Sequence, residues 1–205
     1  MKILAFELSS PQGSIAWQEP GAEPFSRSFQ NDRKHSGLFF ENVEACLKRF
    51  GNPDRIAIGL GPGSYAGTRI AIATATGLAA IDRSELIGVP SFCAMETKTK
   101  QYAVIGDARR GSYYFAQVRD RRCVEGPLLC TEGELNNRLM NFADSVYATE
   151  PLAMFPQMIV NYPGALLLTQ IAATMPPPAD AQPLEPLYLR EPNITYPKNR
   201  PPGTP

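Results

Sequence analysis

The chain has 205 residues, of which 43% are hydrophobic and 20% charged, enough to bury a real core in one domain or two small lobes. Its 20 basic residues balance its 20 acidic ones, so no overall charge draws it to nucleic acid or to an anionic membrane. A single histidine, with no ligand pair at zinc spacing, argues against a zinc site. The N-terminal apolar run ends at Glu7, too soon for a signal peptide, and the scattered cysteines favour reduced thiols, so we expect a cytoplasmic protein.

Regular elements in the first ninety residues follow the order βββ-α-β-α-β. Apolar runs around a Ser-Pro-Gly turn predict a hairpin, and an apolar stripe at helical spacing, ended by Gly51, predicts the first helix. This order suits a mixed sheet covered by helices, as in the ribonuclease-H-like core of the actin, Hsp70 and sugar-kinase group. The predicted elements are strands over residues 2–8, 14–18 and 23–30, a helix over 39–50, a strand over 55–60, a helix over 67–81 and a strand over 86–89.

The remainder of the chain predicts a smaller second lobe. We place an N-terminal lobe at residues 1–101, the second lobe at 102–191, and a flexible proline-rich tail at 192–205. The capping-box pattern Thr131-x-x-Glu134 opens one of the second lobe's helices. The predicted elements here are a hairpin of strands 102–107 and 112–119, a short helix to about residue 141, a strand over 145–148 and a helix over 163–174.

A glycine-rich turn joins the strand over 55–60 to the small-residue helix over 67–81. Gly61 and Gly63 permit backbone angles closed to other residues, and the turn exposes N–H groups that suit an anion. It is not a P-loop, because no Gly-Lys-[Ser/Thr] follows it, and it fits the dinucleotide fingerprint only loosely. The Ser64 side chain is expected to cap the helix. The turn is therefore either a phosphate cradle or the start of a packing surface.

Candidate catalytic groups are few. Glu7, Ser9 and Ser10 follow the first strand, where an actin-like phosphotransferase holds phosphate, yet no Asp-x-Gly exists for a second phosphate turn. His35 is expected to cap or pack rather than to catalyse, and no nucleophile–base pair suggests a peptidase. Residues 107–111 form a predicted turn, whose two arginines are either solvated or in contact with an anion such as tRNA phosphate.

The helix over 67–81 is apolar nearly all round, which predicts burial on more than one side. One side is expected to lie on the sheet of its own lobe. The other meets either a partner subunit or a third layer of the same chain. Its small residues would let the backbone of a second helix approach closely.

Motifs spread along the chain resemble those of the TsaB (YeaZ) family. The run Gly61-Pro62-Gly63-Ser64-Tyr65-Ala66-Gly67-Thr68-Arg69-Ile70 is similar to the family's GPGSFTGxRI. Further matches are the opening ILAFELSS over 3–10, His35-Ser36, GVPS over 88–91, DARRGSYY over 107–114 and EPLYLR over 185–190. The chain departs from the family pattern in carrying Glu7 for Asp and Ala66 for Thr, and its second lobe is expected to be shorter than that of family members.

The resemblance implies an actin-like fold in two lobes and a non-catalytic role. Family members support a catalytic subunit, TsaD, together with the ATPase TsaE, in placing a threonylcarbamoyl group on N6 of the adenosine next to the tRNA anticodon. The resemblance implies no cofactor of the chain's own, ATP and magnesium at the level of the complex, and a homodimer when the chain is alone. The residues it assigns to the partner interface are Phe39, Val43, Ala66, Gly67, Ile70, Ala73, Thr74 and Gly77.

Overall fold

A computed structural model describes residues 1–31, 37–177 and 183–190. His35 and the tail from residue 192 lie outside these ranges. The described elements are strands β1 (Ile3–Glu7), β2 (Gln12–Gln18) and β3 (Phe25–Gln30), helix α1 (Gly37–Phe50), β4 (Arg55–Gly59), α2 (Tyr65–Asp82), β5 (Glu85–Val89), a 3₁₀ turn (Ser91–Ala94), β6 (Gln101–Asp107), β7 (Ser112–Arg119), β8 (Arg122–Thr131), α3 (Glu132–Met140), β9 (Ser145–Ala148), β10 (Ile159–Val160) and α4 (Ala165–Thr174).

The first sheet has the strand order β3-β2-β1-β4-β5. Strand β1 pairs antiparallel with β2 and parallel with β4, so Ala5 lies opposite both Ala16 and Ala57. All five residues of β1 and all five of β4 are buried, because these central strands are covered on both faces. The helices and strands predicted for the first ninety residues are present in the predicted order.

Local sequence signals mark the end of α1 and the start of α2. Gly51 adopts a φ of 81° after α1, and its N–H donates to the Leu47 carbonyl over 2.8 Å, as expected of a glycine cap. The Ser64 side chain accepts a hydrogen bond from the Gly67 N–H at the start of α2. Helix α2 begins at Tyr65, two residues before the predicted start.

The second sheet has the order β10-β9-β6-β7-β8, with α3 beside β7 and β8. The Thr131 side chain accepts from the Glu134 N–H, and the Glu134 side chain accepts from the Thr131 N–H, so the predicted capping box is present. The ten-residue strand β8 was not predicted, because Gly126 and Pro127 interrupt its apolar pattern.

Helix α4 lies on the first sheet, whereas the sequence grouped it with the second lobe. Arg55 of β4 donates hydrogen bonds to the carbonyls of Ala172 and Met175 at its C-terminal end. At its other end the Ala165 N–H donates to the Ser14 hydroxyl of β2 over 2.9 Å. Most residues of α4 are apolar, and an apolar helix can pack on either sheet. Its sequence therefore does not indicate which sheet it covers. The extent of the second lobe stays a prediction, but its last helix packs on the first lobe.

The first sheet is therefore covered on both faces. One face packs against α1 and α2 through residues such as Phe6 and Ile58. The other packs against α4, and the same core continues into the second sheet at Tyr102 and Val104. Two mixed sheets with flanking helices confirm the predicted α/β fold of the actin-like, ribonuclease-H-like class. Within the described residues, every helix is too short or too polar to cross a membrane.

Candidate partner-binding surface and interlobe cleft

The glycine turn lies directly against the loop between β1 and β2. The Ser64 N–H donates to the Ser9 carbonyl over 2.7 Å. A Cβ added to Gly63 would stand 2.1 Å from the same carbonyl oxygen, and one added to Gly67 would stand 2.1 Å from that of Leu8. Real side chains do not fit at such distances, so both glycines are needed for this close backbone contact.

A second set of hydrogen bonds holds the other side of the turn. The Gly61 N–H donates to the Ser91 hydroxyl, and the Ser91 N–H donates back to the Gly61 carbonyl, each over 2.9 Å. Gly61 has a φ of 87°, a conformation that favours glycine. The Leu187 N–H donates to the Leu60 carbonyl just before the turn. The turn is thus fixed by the loop between β1 and β2, by the segment after β5 and by the C-terminal segment.

Glu7 is completely buried beneath this turn. Its Oε1 accepts from the Ser9 N–H over 2.7 Å, while Oε2 has no hydrogen-bond partner among the described residues. A Cβ on Gly59 would stand 1.8 Å from Oε2, so only glycine leaves room for this carboxyl. Burial raises the pKa of Glu7, and the neighbouring Ser9 and Ser91 oppose that shift only in part.

A cleft of about 350 Å³ is lined by residues of both lobes. Its first-lobe wall includes Ser9, Ser10, Ser64 and Thr68, and its second-lobe wall includes Asp107, Arg109, Tyr114 and Glu150. Glu7 is not part of either wall. No group of three potential metal-ligating side chains occurs within the described ranges. The Ser10 hydroxyl donates to the Gln12 carbonyl over 2.7 Å. This hydrogen bond stabilises the turn, so the hydroxyl proton is not free to bind a ligand.

The turn at residues 107–111 borders this cleft. Arg109 and Arg110 both have positive φ, and the Arg109 guanidinium pairs with the Asp107 carboxylate over 3.0 Å. Both side chains of the pair are partly solvated, so the pair contributes little to stability. One of the two arginines considered for tRNA phosphate therefore already has an acidic neighbour.

Helix α2 has one buried face and one solvent-exposed face. Gly67, Ala71 and Ala75 lie against the first sheet. No described element covers the opposite face, so the third layer left open by the sequence is absent from the described residues. Of the predicted interface residues in α2, Ala66, Ala73 and Gly77 are exposed, and Ile70 and Thr74 are half-buried.

The other predicted interface residues are inside the protomer. Phe39 packs edge-on against Phe6 with ring centroids 5.2 Å apart, and Val43 belongs to the same core. Gly67 is buried against the Leu8 carbonyl. All three residues face the chain's own sheet rather than solvent. Their burial disfavours a contact with a partner, and their interface assignment stays a prediction.

An aromatic cluster at the start of α2 was not predicted. The rings of Tyr65 and Tyr188 lie 5.6 Å apart, and the Arg69 guanidinium lies over the Tyr65 ring and donates to its hydroxyl over 2.6 Å. Both tyrosines are about half exposed. Tyr188 lies beside Tyr65 because the neighbouring Leu187 is hydrogen-bonded to Leu60, just before the glycine turn. This contact joins distant parts of the chain and has no local sequence signal.

Comparison with known proteins connects this geometry to a family. The model of the TsaD family, described as tRNA N6-adenosine threonylcarbamoyltransferase, matches residues 30–129. A Pseudomonas aeruginosa protein described as similar to peptidase YEAZ shares 22% identity over 92% of this chain and 99% of its own, with a TM-score of 0.73. YeaZ from Pseudomonas aeruginosa shares 21% identity over 84% of this chain and 90% of its own, with a TM-score of 0.69. The sequence matches no curated protein at a significant level.

The chain is thus similar in fold to these YeaZ structures over most of its length, and similar in sequence to the TsaD family over residues 30–129. The family model covers the glycine turn, α2 and the turn at 107–111, which are the segments that carry most of the family-like motifs.

Proposed function

We propose that this chain is a non-catalytic subunit that binds and supports a TsaD-like catalytic subunit during threonylcarbamoylation of tRNA. The observation that carries this proposal is the uncovered face of α2. Ala66, Ala73 and Gly77 present almost no side chain there, so a second helix could approach the α2 backbone closely. The rigid glycine turn fixes where this helix begins.

Larger exposed side chains also occur on the first two helices. Leu38 and Phe40 of α1 and Ile81 of α2 are exposed apolar side chains, and the Tyr65–Arg69–Tyr188 cluster lies at the opposite end of α2 from Ile81. Tyrosine and arginine are the residue types that contribute most at protein interfaces. A partner helix packed along α2 would meet this cluster at one end.

The alternative is an actin-like phosphotransferase that uses Glu7, Ser9 and Ser10. Such an enzyme needs an acidic group that can hold magnesium or a proton beside the transferred phosphate. The buried Glu7 carboxyl is sealed from the cleft by Gly59, Ser9 and Ser91, which disfavours this role. Magnesium-dependent ATP turnover by the pure chain, abolished in Glu7→Ala, would instead favour the phosphotransferase.

We extend the proposal to the rest of the complex. A TsaE-like ATPase and tRNA would join through the assembled complex, which would also hold any ATP and magnesium. The same α2 face would form a homodimer when the chain is alone, so the catalytic partner and a second copy would compete for it.

The interface is tested with Gly77→Glu, since nothing lies within 4 Å of a Cβ at this position. We expect this variant to stay folded and to lose copurification with the TsaD-like subunit. The matched control is Gly133→Glu on α3, where a Cβ is equally unobstructed. Equal copurification of the two variants would show that α2 is not the interface.

The pathway is tested by mass spectrometry of tRNA nucleosides after depletion of the protein. We expect threonylcarbamoyladenosine to fall and to recover when the wild-type chain is restored. An unchanged level of the modified nucleoside would rule out the proposed function, whatever the interface variants do.

A further inference from the structure

Two loops at the end of the second sheet farthest from the cleft bring basic residues together. One loop, residues 96–100, precedes β6, and the other, residues 119–122, joins β7 to β8. The cleft-lining turn lies at the other end of β6, which at about 3.4 Å per residue is roughly 20 Å away. These loops are therefore separate from the cleft.

The two loops are held against each other by backbone contacts. The Asp120 N–H donates to the Lys100 carbonyl over 2.8 Å. The Arg121 guanidinium donates to the carbonyls of Met95 and Thr97, which ties the tip of the second loop to the first. Strand pairing sets Arg119 opposite Arg122. The loops therefore hold the backbone positions that carry the neighbouring basic side chains in a fixed arrangement before any ligand binds.

The charge in these loops is strongly unbalanced. They contain five cationic residues and two acidic ones, Glu96 and Asp120, which gives a formal net charge of +3 in a chain that is neutral overall. Lys98, Lys100, Arg119 and Arg122 are all exposed. None of the four forms a salt bridge within the described part of the chain, whereas Arg55, Arg109 and Arg138 each pair with a carboxylate.

We propose that this basic patch, formed by Lys98, Lys100, Arg119 and Arg122, binds the phosphate backbone of RNA. Exposed cations without acidic partners bind phosphates by releasing their counterions, without the need for an apolar contact. Among the described residues, no aromatic ring makes a cation–π contact with these four side chains, unlike the contact between Tyr65 and Arg69. RNA is favoured because residues 30–129, which include both loops, match the family model of a tRNA-modifying enzyme.

The identity of the RNA as tRNA rests on the proposed function. Under that function the chain would do more than hold its partner, because it would supply part of the surface on which tRNA lies. The patch differs from Arg109, which the sequence suggested for the same role, because no carboxylate of the described residues pairs with it.

The test measures binding of fluorescently labelled tRNA to the full chain between 50 and 200 mM salt by anisotropy. The variant carries Lys98→Gln, Lys100→Gln, Arg119→Gln and Arg122→Gln, and it leaves Arg121 in place to keep the loops together. The control removes four exposed cations of the first lobe by Lys2→Gln, Lys48→Gln, Arg49→Gln and Arg83→Gln.

We expect the patch variant to bind tRNA at least ~10-fold more weakly at low salt, with a slope of log K against log salt smaller by roughly 3, since each phosphate contact contributes about 0.7–0.9. The control should stay within about twofold of the wild type. No salt-dependent tRNA binding by the wild type, or equal losses in both variants, would overturn the proposal.

Two further arms separate RNA from other anionic partners. Loss of TsaD-like subunit binding by the patch variant, with tRNA binding intact, would make the patch a protein contact and overturn the proposal. So would stronger patch-dependent binding to phosphatidylserine vesicles than to tRNA. If the patch variant loses tRNA while depletion of the protein leaves the modified nucleoside unchanged, the RNA surface stands and the proposed function fails.

Discussion

Gly63 lies against Ser9 so closely that a Cβ at position 63 would stand 2.1 Å from the Ser9 carbonyl oxygen. The neighbouring Ser64 N–H donates to that same oxygen. The glycine turn and the first hairpin are thus one rigid backbone unit. Because α2 starts from this unit, its position on the sheet depends on residues almost sixty positions earlier in the chain.

Gly63→Ala should therefore destabilise the fold by about 2–4 kcal/mol, because the methyl group would force two backbone segments apart. Gly77→Ala is the matched control: it lies in the same helix with open space around it and should stabilise the protein by about 0.5–1 kcal/mol. Urea unfolding monitored by circular dichroism measures both changes. Equal free energies of unfolding for the two variants would contradict the close contact at Ser9.

Glu7 should make stability depend on pH. Its pKa is raised in the folded protein, so the folded state binds this proton more tightly than the unfolded chain does. Its contribution is fully present below the ordinary pKa of 4.5 and is lost as the pH rises through the raised value. The slope for one proton is at most ~1.4 kcal/mol per pH unit.

Glu7→Gln should remove that slope, because a neutral amide has no proton to lose. Free energies of unfolding from urea titrations between pH 4.5 and 9 provide the measurement. The plots of unfolding free energy against pH should approach the same slope for both proteins at the acidic end. As the pH rises, the wild type should lose stability relative to the variant. Parallel curves over the whole range would show that Glu7 titrates normally.

Arg55 should contribute far more than an exposed charged residue. Its side chain is 4% exposed, it pairs with Glu85, and it donates to two carbonyls at the end of α4. Arg55→Met should cost about 2–4 kcal/mol, since it leaves buried carbonyls without a donor.

The control for Arg55 is Lys48→Met at the exposed pair with Glu44 on α1, where the side chains are 74% and 66% exposed. That change should cost no more than about 0.5 kcal/mol. Thermal unfolding by calorimetry compares the two. Similar transition temperatures would mean that α4 does not depend on Arg55 for its place on the sheet.

Tyr188 should contribute to partner binding although it lies far from α2 in sequence. Tyr188→Ala should weaken binding of the TsaD-like subunit about 5–30-fold, equivalent to ~1–2 kcal/mol, because it removes an aromatic contact beside Arg69. Isothermal titration calorimetry measures the change. Met154→Ala, at an exposed apolar residue of the second lobe, is the control and should bind as the wild type does.

Much of this architecture was already determined by local sequence. The strands β1 and β4, the Ser64 and Gly51 caps and the Thr131–Glu134 capping box each depend on a few neighbouring residues, so their patterns predicted them correctly. The glycine turn was equally visible, because backbone angles such as the φ of 87° at Gly61 favour glycine. The family-like motifs fall on these same local features.

Tertiary structure alone decided which sides of these elements are free. Phe39 and Val43 form an apolar stripe that sequence cannot assign to a partner or to a core, and packing against Phe6 placed it inside. The packing of Gly59 against the Glu7 carboxyl, the hydrogen bonds from Arg55 to α4 and the contact between Tyr188 and Tyr65 all join residues far apart in the chain. Local periodicity reports only which residues share a face, whereas the chain's path through space determines what that face meets.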